Sequence, residues 1–199
     1  MIYLVRHGQT EFNRQGRMQG HADSPLTELG LRQAGAVGRL LESLVPAPRT
    51  GWRLVSSPLG RACATAAIIS QRLGLPVELD DRLKEMSWGP FDGRLRAELE
   101  AETAATFGAS GWAFDAPGTE PYESVAGRLS DWLDDLPPEP DRRVIAVSHG
   151  VAGRVLRGLY ADLARAAAAE QDVPQDAVYL LQGGSIERFD CVGLKSVGP

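Results

Sequence analysis

The sequence predicts an α/β protein: three α/β/α layers built on a mostly parallel sheet, with a small helical lid subdomain. Three features predict it. Short apolar runs alternate with amphipathic stretches, the pattern of parallel strands covered by helices on both faces. The alternation lapses between residues 81 and 140, where helical spacing takes over. Two of the three histidines stand directly before Gly at the end of an apolar strand, as His7-Gly8 and His149-Gly150. Ligands of such sheets bind beyond the carboxyl ends of the strands. One domain is expected over residues 1–199, with a helical insertion at about 86–140.

The elements follow in order. Ile2-Tyr3-Leu4-Val5 is a short buried strand that stops at Arg6-His7-Gly8, where Gly8 is free to turn sharply. Gln9 to Leu26 is polar and reads as a loop, long enough to be functional. Thr27 suits an N-cap for a helix to about Leu44, with Leu31, Ala34, Val37, Leu41 and Leu44 on one face. Trp52–Val55 is a second strand. Ser57 and Pro58 then suit the N-cap and first position of a helix that Gly74 ends. Pro76–Leu79 is a third strand. Helices are expected over about Leu95–Phe107 and Pro121–Leu136, joined by a Gly/Ala/Pro-rich connection from Gly108 to Thr119. Val125, Leu129, Trp132, Leu133 and Leu136 give the second helix its apolar face. A strand over 143–147, a helix over Val151–Tyr160 and an Ala-rich helical stretch over Leu163–Glu170 follow. Two last strands, Ala177–Leu181 and Ser185–Phe189, turn at Gly183-Gly184.

Composition narrows the function. The chain has 199 residues, 43% of them apolar, and a formal charge of −5. That charge offers no general attraction for nucleic acid or an anionic membrane, so any positive potential is local. No apolar run approaches membrane-spanning length. The N-terminal apolar run is too short for a signal peptide and meets charge at once. Two cysteines, Cys63 and Cys191, give no disulfide framework and fit a reducing cytoplasm. Cys63 reads as a small buried apolar side chain in a helix.

Local positive potential is what the strand ends supply. Arg6, His7, Arg61 and His149 gather there with at least two helix N-termini, and every charge is positive or potentially so. Such a pocket repels cations and suits a tetrahedral oxyanion, above all phosphate. A metal fits poorly: its ligands are neutral or anionic, and Arg6 adjoins His7. On a bound phosphoryl group, an imidazole kept neutral by nearby Arg charges can attack phosphorus and form a phosphohistidine. A second imidazole, protonated beside the dianion, can donate to the equatorial oxygens. A general acid must still protonate the leaving oxygen, and spacing alone does not choose among the carboxylates.

These residues resemble a known family. Arg6-His7-Gly8-Gln9-Thr10-Glu11-Phe12-Asn13, Arg17-Met18-Gln19-Gly20 with Ser24-Pro25-Leu26-Thr27, Ser56-Ser57-Pro58-Leu59-Gly60-Arg61-Ala62 with Thr65-Ala66, Leu83-Lys84-Glu85 with Gly89 and Phe91-Asp92-Gly93, and Ser148-His149-Gly150 resemble, in order, five motifs of the histidine phosphatase superfamily, also called phosphoglycerate mutase-like. The resemblance covers nearly the whole chain. It implies His7 as nucleophile, Arg6, Arg61 and His149 as holders of the phosphoryl oxygens with Asn13, and Glu85 as the acid that then activates water. Gln19 and Gly20 would touch substrate. His21 falls outside the motifs and is expected at the rim or in solvent; Trp88 and Phe91 are expected in the core or along the pocket wall. A metal-independent phosphomonoester hydrolase with no cofactor, acting on a small phosphorylated metabolite, is what the resemblance implies. The run Met86-Ser-Trp-Gly-Pro-Phe-Asp-Gly93 is similar to the phosphatase branch. A mutase would need further lid cations, and between Met86 and Pro140 the basic residues are Arg94, Arg96 and Arg128. A mutase and a non-catalytic phospholigand-binding protein stand as the alternatives.

Overall fold

The computed structural model describes residues 1–99, 102 and 116–192. Its elements are β1 Ile2–Arg6, α1 Glu11–Arg14, α2 Glu28–Leu44, β2 Arg53–Ser56, α3 Gly60–Leu73, β3 Val77–Leu79, α4 Tyr122–Asp134, β4 Val144–Ser148, α5 Gly150–Tyr160, α6 Arg165–Glu170, β5 Ala177–Gln182 and β6 Ser185–Asp190. Single 3-10 turns at Asp81–Leu83 and Gly89–Phe91 lead into the insertion. The predicted helix over Leu95–Phe107 lies mostly outside the described residues; 96–99 are helical. The predicted connection Gly108–Thr119 lies outside them up to residue 115.

The six strands form one sheet in the order β3-β2-β4-β1-β5-β6. β3, β2, β4 and β1 run parallel, and β5 and β6 add an antiparallel hairpin on the β1 side. Gly183 and Gly184 turn that hairpin with φ of 57° and 74°, a region costly for side chains with a Cβ.

The apolar runs of β1 and β4 are buried on both faces, and alternate residues divide between two cores. Ile2, Leu4 and Ala146 join a cluster with Met86, Leu129, Trp132 and Leu156. Tyr3, Val5 and Val147 join another with Val37, Leu41, Leu54 and Ile69. Helices α2 and α3 therefore cover one face, and α4 and α5 the other. The apolar face of α4 belongs to the same core as the sheet. A fully buried Leu or Ile in either cluster contributes about 1.5–3 kcal/mol over exposure.

Several local expectations change. Leu31 is about half exposed; the buried stripe of α2 comes from Ala34, Val37 and Leu41, with Gly30 where the Gln9 backbone crowds in. The predicted loop 9–26 contains α1, capped by Thr10 and Asn13 in a reciprocal capping box. Helix α3 starts at Gly60, not at Pro58, and Leu59 is its N-cap. Gly8 does not supply a positive φ. A Cβ there would lie 2.3 Å from the Gly30 carbonyl oxygen, so Gly8 serves close backbone approach. Trp88 is buried in the core and Phe91 packs against it. Among the described residues no helix is long and apolar enough to cross a membrane.

Candidate active site

Strand register builds the site. Arg6 pairs with Ser148, and Ser56 with Val147, so β1, β2 and β4 end level. The next amides continue the ladder: His7 N–H donates to Ser148 O at 3.1 Å, and Ser57 N–H to Val147 O at 3.0 Å. His7, Ser57 and His149 consequently emerge side by side. The two imidazoles, 142 positions apart in the numbering of the chain, have ring centroids 5.1 Å apart.

Each ring is nearly sealed, His7 at 3% exposure and His149 at 2%. His7 Nδ1 lies 2.8 Å from the Gly8 carbonyl oxygen, which can only accept. The proton therefore sits on Nδ1, and Nε2 carries the lone pair. Arg61 Nε donates toward that Nε2 at 3.3 Å. Burial, then Arg6 and Arg61, hold the His7 pKa well below its ordinary value, against the Gly8 hydrogen bond. The sequence reading credited the arginines; burial comes first. His149 is depressed likewise, by burial first and then by Arg61, His7 and Arg6. Without an anion it is neutral.

Arg61 is 1% exposed and its guanidinium is fully engaged. It donates to Gly20 O at 2.7 Å, Ala22 O at 3.0 Å and Asp23 Oδ1 at 3.0 Å. Arg6 donates through one terminal nitrogen to Val173 O, and burial lowers its pKa to about 10. Two buried side-chain polar atoms have no partner among the described residues: Arg6 Nε and His149 Nδ1. Such orphans cost roughly 1–3 kcal/mol each, so they signal a ligand.

Glu85 is tied to the backbone beside this cluster. Its Oε1 accepts from Met86 N–H at 3.0 Å and Ala152 N–H at 2.9 Å, and its Oε2 from Val151 N–H at 3.1 Å. The carboxylate thus occupies the N-terminus of α5. Asp23 Oδ1 similarly lies 3.4 Å from Arg61 N at the start of α3. This corrects an expectation: the helix N-termini are held by carboxylates, so positive potential for an anion comes from the side chains.

The softer assignments divide. Gln19 is buried, and both ends of its amide brace the loop: Oε1 accepts from Thr10 Oγ1 at 2.6 Å, and Nε2 donates to Ser24 Oγ at 3.0 Å. Gly20 donates to Asp92 Oδ1 at 2.8 Å, and a Cβ there would lie 2.7 Å from Met86 O and Trp88 N. Asn13 Oδ1 accepts from Thr10 N–H and from Gln175 Nε2, so its amide nitrogen is what it can offer an anion. His21 is exposed, as expected at a rim, with Nε2 2.9 Å from Glu85 O.

Several contributors carried no assigned role. Ser57 Oγ lies 2.7 Å from His149 Nε2. Thr65 Oγ1 accepts from Gly8 N–H at 3.1 Å. Asp92 holds the amides of both Gly20 and Ala22. These three stand inside the quoted motifs, which was the available signal. The segment 171–175 had none. Its successive carbonyls Gln171, Asp172 and Val173 accept from Arg154, Arg157 and Arg6, and Gln175 holds Asn13.

The chain resembles known proteins over most of its length. A family model described as the histidine phosphatase superfamily (branch 1) matches residues 2–187. A probable phosphoglycerate mutase GpmB of Cronobacter sakazakii is 37% identical over 163 residues, covering 76% of this chain and 70% of the relative. A glucosyl-3-phosphoglycerate phosphatase of Mycobacterium tuberculosis is 36% identical over 162 residues, covering 75% and 70%. The structure of a mycobacterial glucosyl-3-phosphoglycerate phosphatase complexed with VO3 superposes with a TM-score of 0.76 at 33% identity, covering 95% of this chain and 96% of that one.

Proposed function

The chain belongs to the histidine phosphatase superfamily, and we propose that it hydrolyses small phosphomonoesters through a phosphohistidine on His7. One observation carries the reading. The two unpartnered buried polar atoms, Arg6 Nε and His149 Nδ1, belong to residues flanking the His7 lone pair. A phosphoryl group is an anion of the size and charge to satisfy both.

The steps follow from the geometry. His7 Nε2 attacks phosphorus while the bond to the leaving oxygen breaks. Arg6 and His149 hold the equatorial oxygens, with Asn13 at the margin; Arg61 joins them through Nε–H, which His7 Nε2 releases as its lone pair goes to phosphorus. Glu85, as a carboxylic acid, gives its proton to the leaving alcohol. The same carboxylate then takes a proton from water, whose oxygen attacks phosphorus. The N–P bond breaks, phosphate leaves, and His7 Nε2 regains its lone pair. Gln19 supports the substrate loop through its amide contacts, and Gly20 offers its backbone to Arg61.

A mutase reading draws on the probable phosphoglycerate mutase among the relatives. The insertion favours hydrolysis: Arg94 is paired with Glu102 and Arg128 with Glu120, so these cations are already neutralised. The substrate is a small phosphorylated metabolite of the kind named for these relatives, a phosphorylated glycerate or its sugar derivative. The unit is one domain over residues 1–199 whose helical insertion, about 86–140, shapes access. Two free thiols support a cytoplasmic setting.

Turnover of p-nitrophenyl phosphate tests the reading, with His7→Ala alongside. Wild type is expected to release nitrophenol and to trap phosphate covalently after acid-free quench; His7→Ala does neither. Activity undiminished in His7→Ala would overturn it.

A further inference from the structure

Ser57 is wholly buried at the end of β2, where a serine hydroxyl must find partners. It has two: Leu59 N–H donates to Oγ at 3.3 Å, and His149 Nε2 lies 2.7 Å away. The heavy atoms permit two proton arrangements. In one, Nε2–H donates to Oγ. The serine proton then lacks an acceptor among the described residues, and Nδ1 presents a lone pair in the company of Arg6, His7 and Arg61. In the other, Ser57 O–H donates to Nε2, Leu59 fills an Oγ lone pair, and Nδ1 carries the proton. Only the second satisfies the serine completely, and it turns the orphaned Nδ1 into a donor.

We propose that Ser57 is a positioning residue: its hydroxyl donates to His149 Nε2, holds the ring in the Nδ1–H tautomer, and so gives a phosphoryl oxygen a neutral donor. The inference rests on the phosphatase reading and deepens it. An Nε2–H tautomer would aim a lone pair at the anion, so the choice of proton decides between attraction and repulsion. His7 sets the complement. Its Nδ1–H is tied to Gly8 O, so one imidazole offers Nε2 as a base and its neighbour offers Nδ1–H as an acid. Two rings of the same residue type acquire opposite roles from one hydrogen bond each.

Nitrogen-15 spectra of histidine-labelled enzyme, free and with orthovanadate at pH 7.5, test this. His149 is expected to show a protonated Nδ1 and a bare Nε2 in free enzyme, and Nδ1–H to persist with vanadate. Ser57→Ala is expected to average the two tautomers and to lower kcat/KM and vanadate affinity about ten- to a hundredfold, the range for a charge-assisted hydrogen bond. Ser56→Ala, whose hydroxyl donates to Ser57 O instead, leaves the His149 tautomer unchanged. An Nε2–H tautomer in wild type, or Ser57→Ala with Nδ1–H and full vanadate affinity, would overturn the proposal. The wild-type spectrum decides even where Ser57→Ala fails to fold. Activity lost in His7→Ala with an Nε2–H His149 sinks this inference alone. Activity kept in His7→Ala sinks the phosphohistidine reading, while the tautomer measurement stands.

Discussion

Replacing Glu85 by Gln separates the two duties of this carboxylate. In the fold it accepts three backbone N–H groups, two of them from the first turn of α5. Glutamine keeps one acceptor oxygen and turns an NH2 toward a donor it should receive. One hydrogen bond to a charged acceptor is lost, worth about 1.5–3 kcal/mol. The negative charge at the helix N-terminus is lost too, worth about 0.3–1 kcal/mol. The sum is about 2–4 kcal/mol. For a chain of this length each kcal/mol moves Tm by about 2–4 °C, so Glu85→Gln melts about 4–16 °C lower. In the proposed chemistry it also removes the proton for the leaving oxygen, an effect of about 10²–10⁴-fold. That loss depends on the leaving group. An alkyl phosphate, whose alkoxide is a poor leaving group, loses most in kcat/KM; a nitrophenyl phosphate loses far less in the same step. Thermal melts and kcat/KM on both esters make the assay. Equal losses on the two esters would refute the acid assignment, and an unchanged Tm would refute the account of the carboxylate as a helix cap.

Further outcomes follow from the same contacts. Both site histidines are held neutral, so as pH falls through about 6.5 the unfolded rings bind protons while the folded ones do not; stability measured by urea titration declines over that range, and His7→Asn blunts the decline. Single-turnover phosphorylation likewise holds steady through the ordinary imidazole pKa and falls only at lower pH, seen by rapid quench. Gly8→Ala drives a Cβ into Gly30 O at 2.3 Å and costs about 2 kcal/mol or more, whereas Gly127→Ala, in the interior of α4 with nothing within 4 Å, gains about 0.5–1 kcal/mol; denaturation midpoints distinguish them. Turnover is expected to survive prolonged treatment with chelator, and a loss restored by a divalent ion would refute the metal-independent chemistry.

What could be read from the chain, and what could not, divides by the range of the interaction. β1 and β4 were legible because strands buried on both faces must be apolar throughout. Their ends were legible because His7-Gly8 and His149-Gly150 interrupt that rule. Arg61 was placed correctly in the first turn of α3 even though the helix begins later than Ser57-Pro58 suggests. Ser57 explains the shift: its oxygen serves Leu59 and His149, not a helix starting at Pro58. The occupants of the helix N-termini were illegible. Glu85 meets Ala152 across 67 positions and Asp23 meets Arg61 across 38, and a carboxylate carries no mark of the distant amide it will cap. The Gln175 contact with Asn13 spans 162 positions and has no local pattern at all. Residues with one obvious chemistry announced themselves; those that orient them depend on the folded chain.

The grip of Val173 on Arg6 has a bearing on synthesis. A ribosome delivers Arg6 early and its carbonyl partner 167 residues later, and β5, which flanks β1, later still. A nascent chain halted before this segment holds every side chain proposed for the chemistry yet lacks the backbone that holds the first arginine and the strand that flanks β1. Hydrolysis is therefore expected to await Val173 and β5, and a truncation that removes both is expected to disarm the enzyme without touching a single reacting atom.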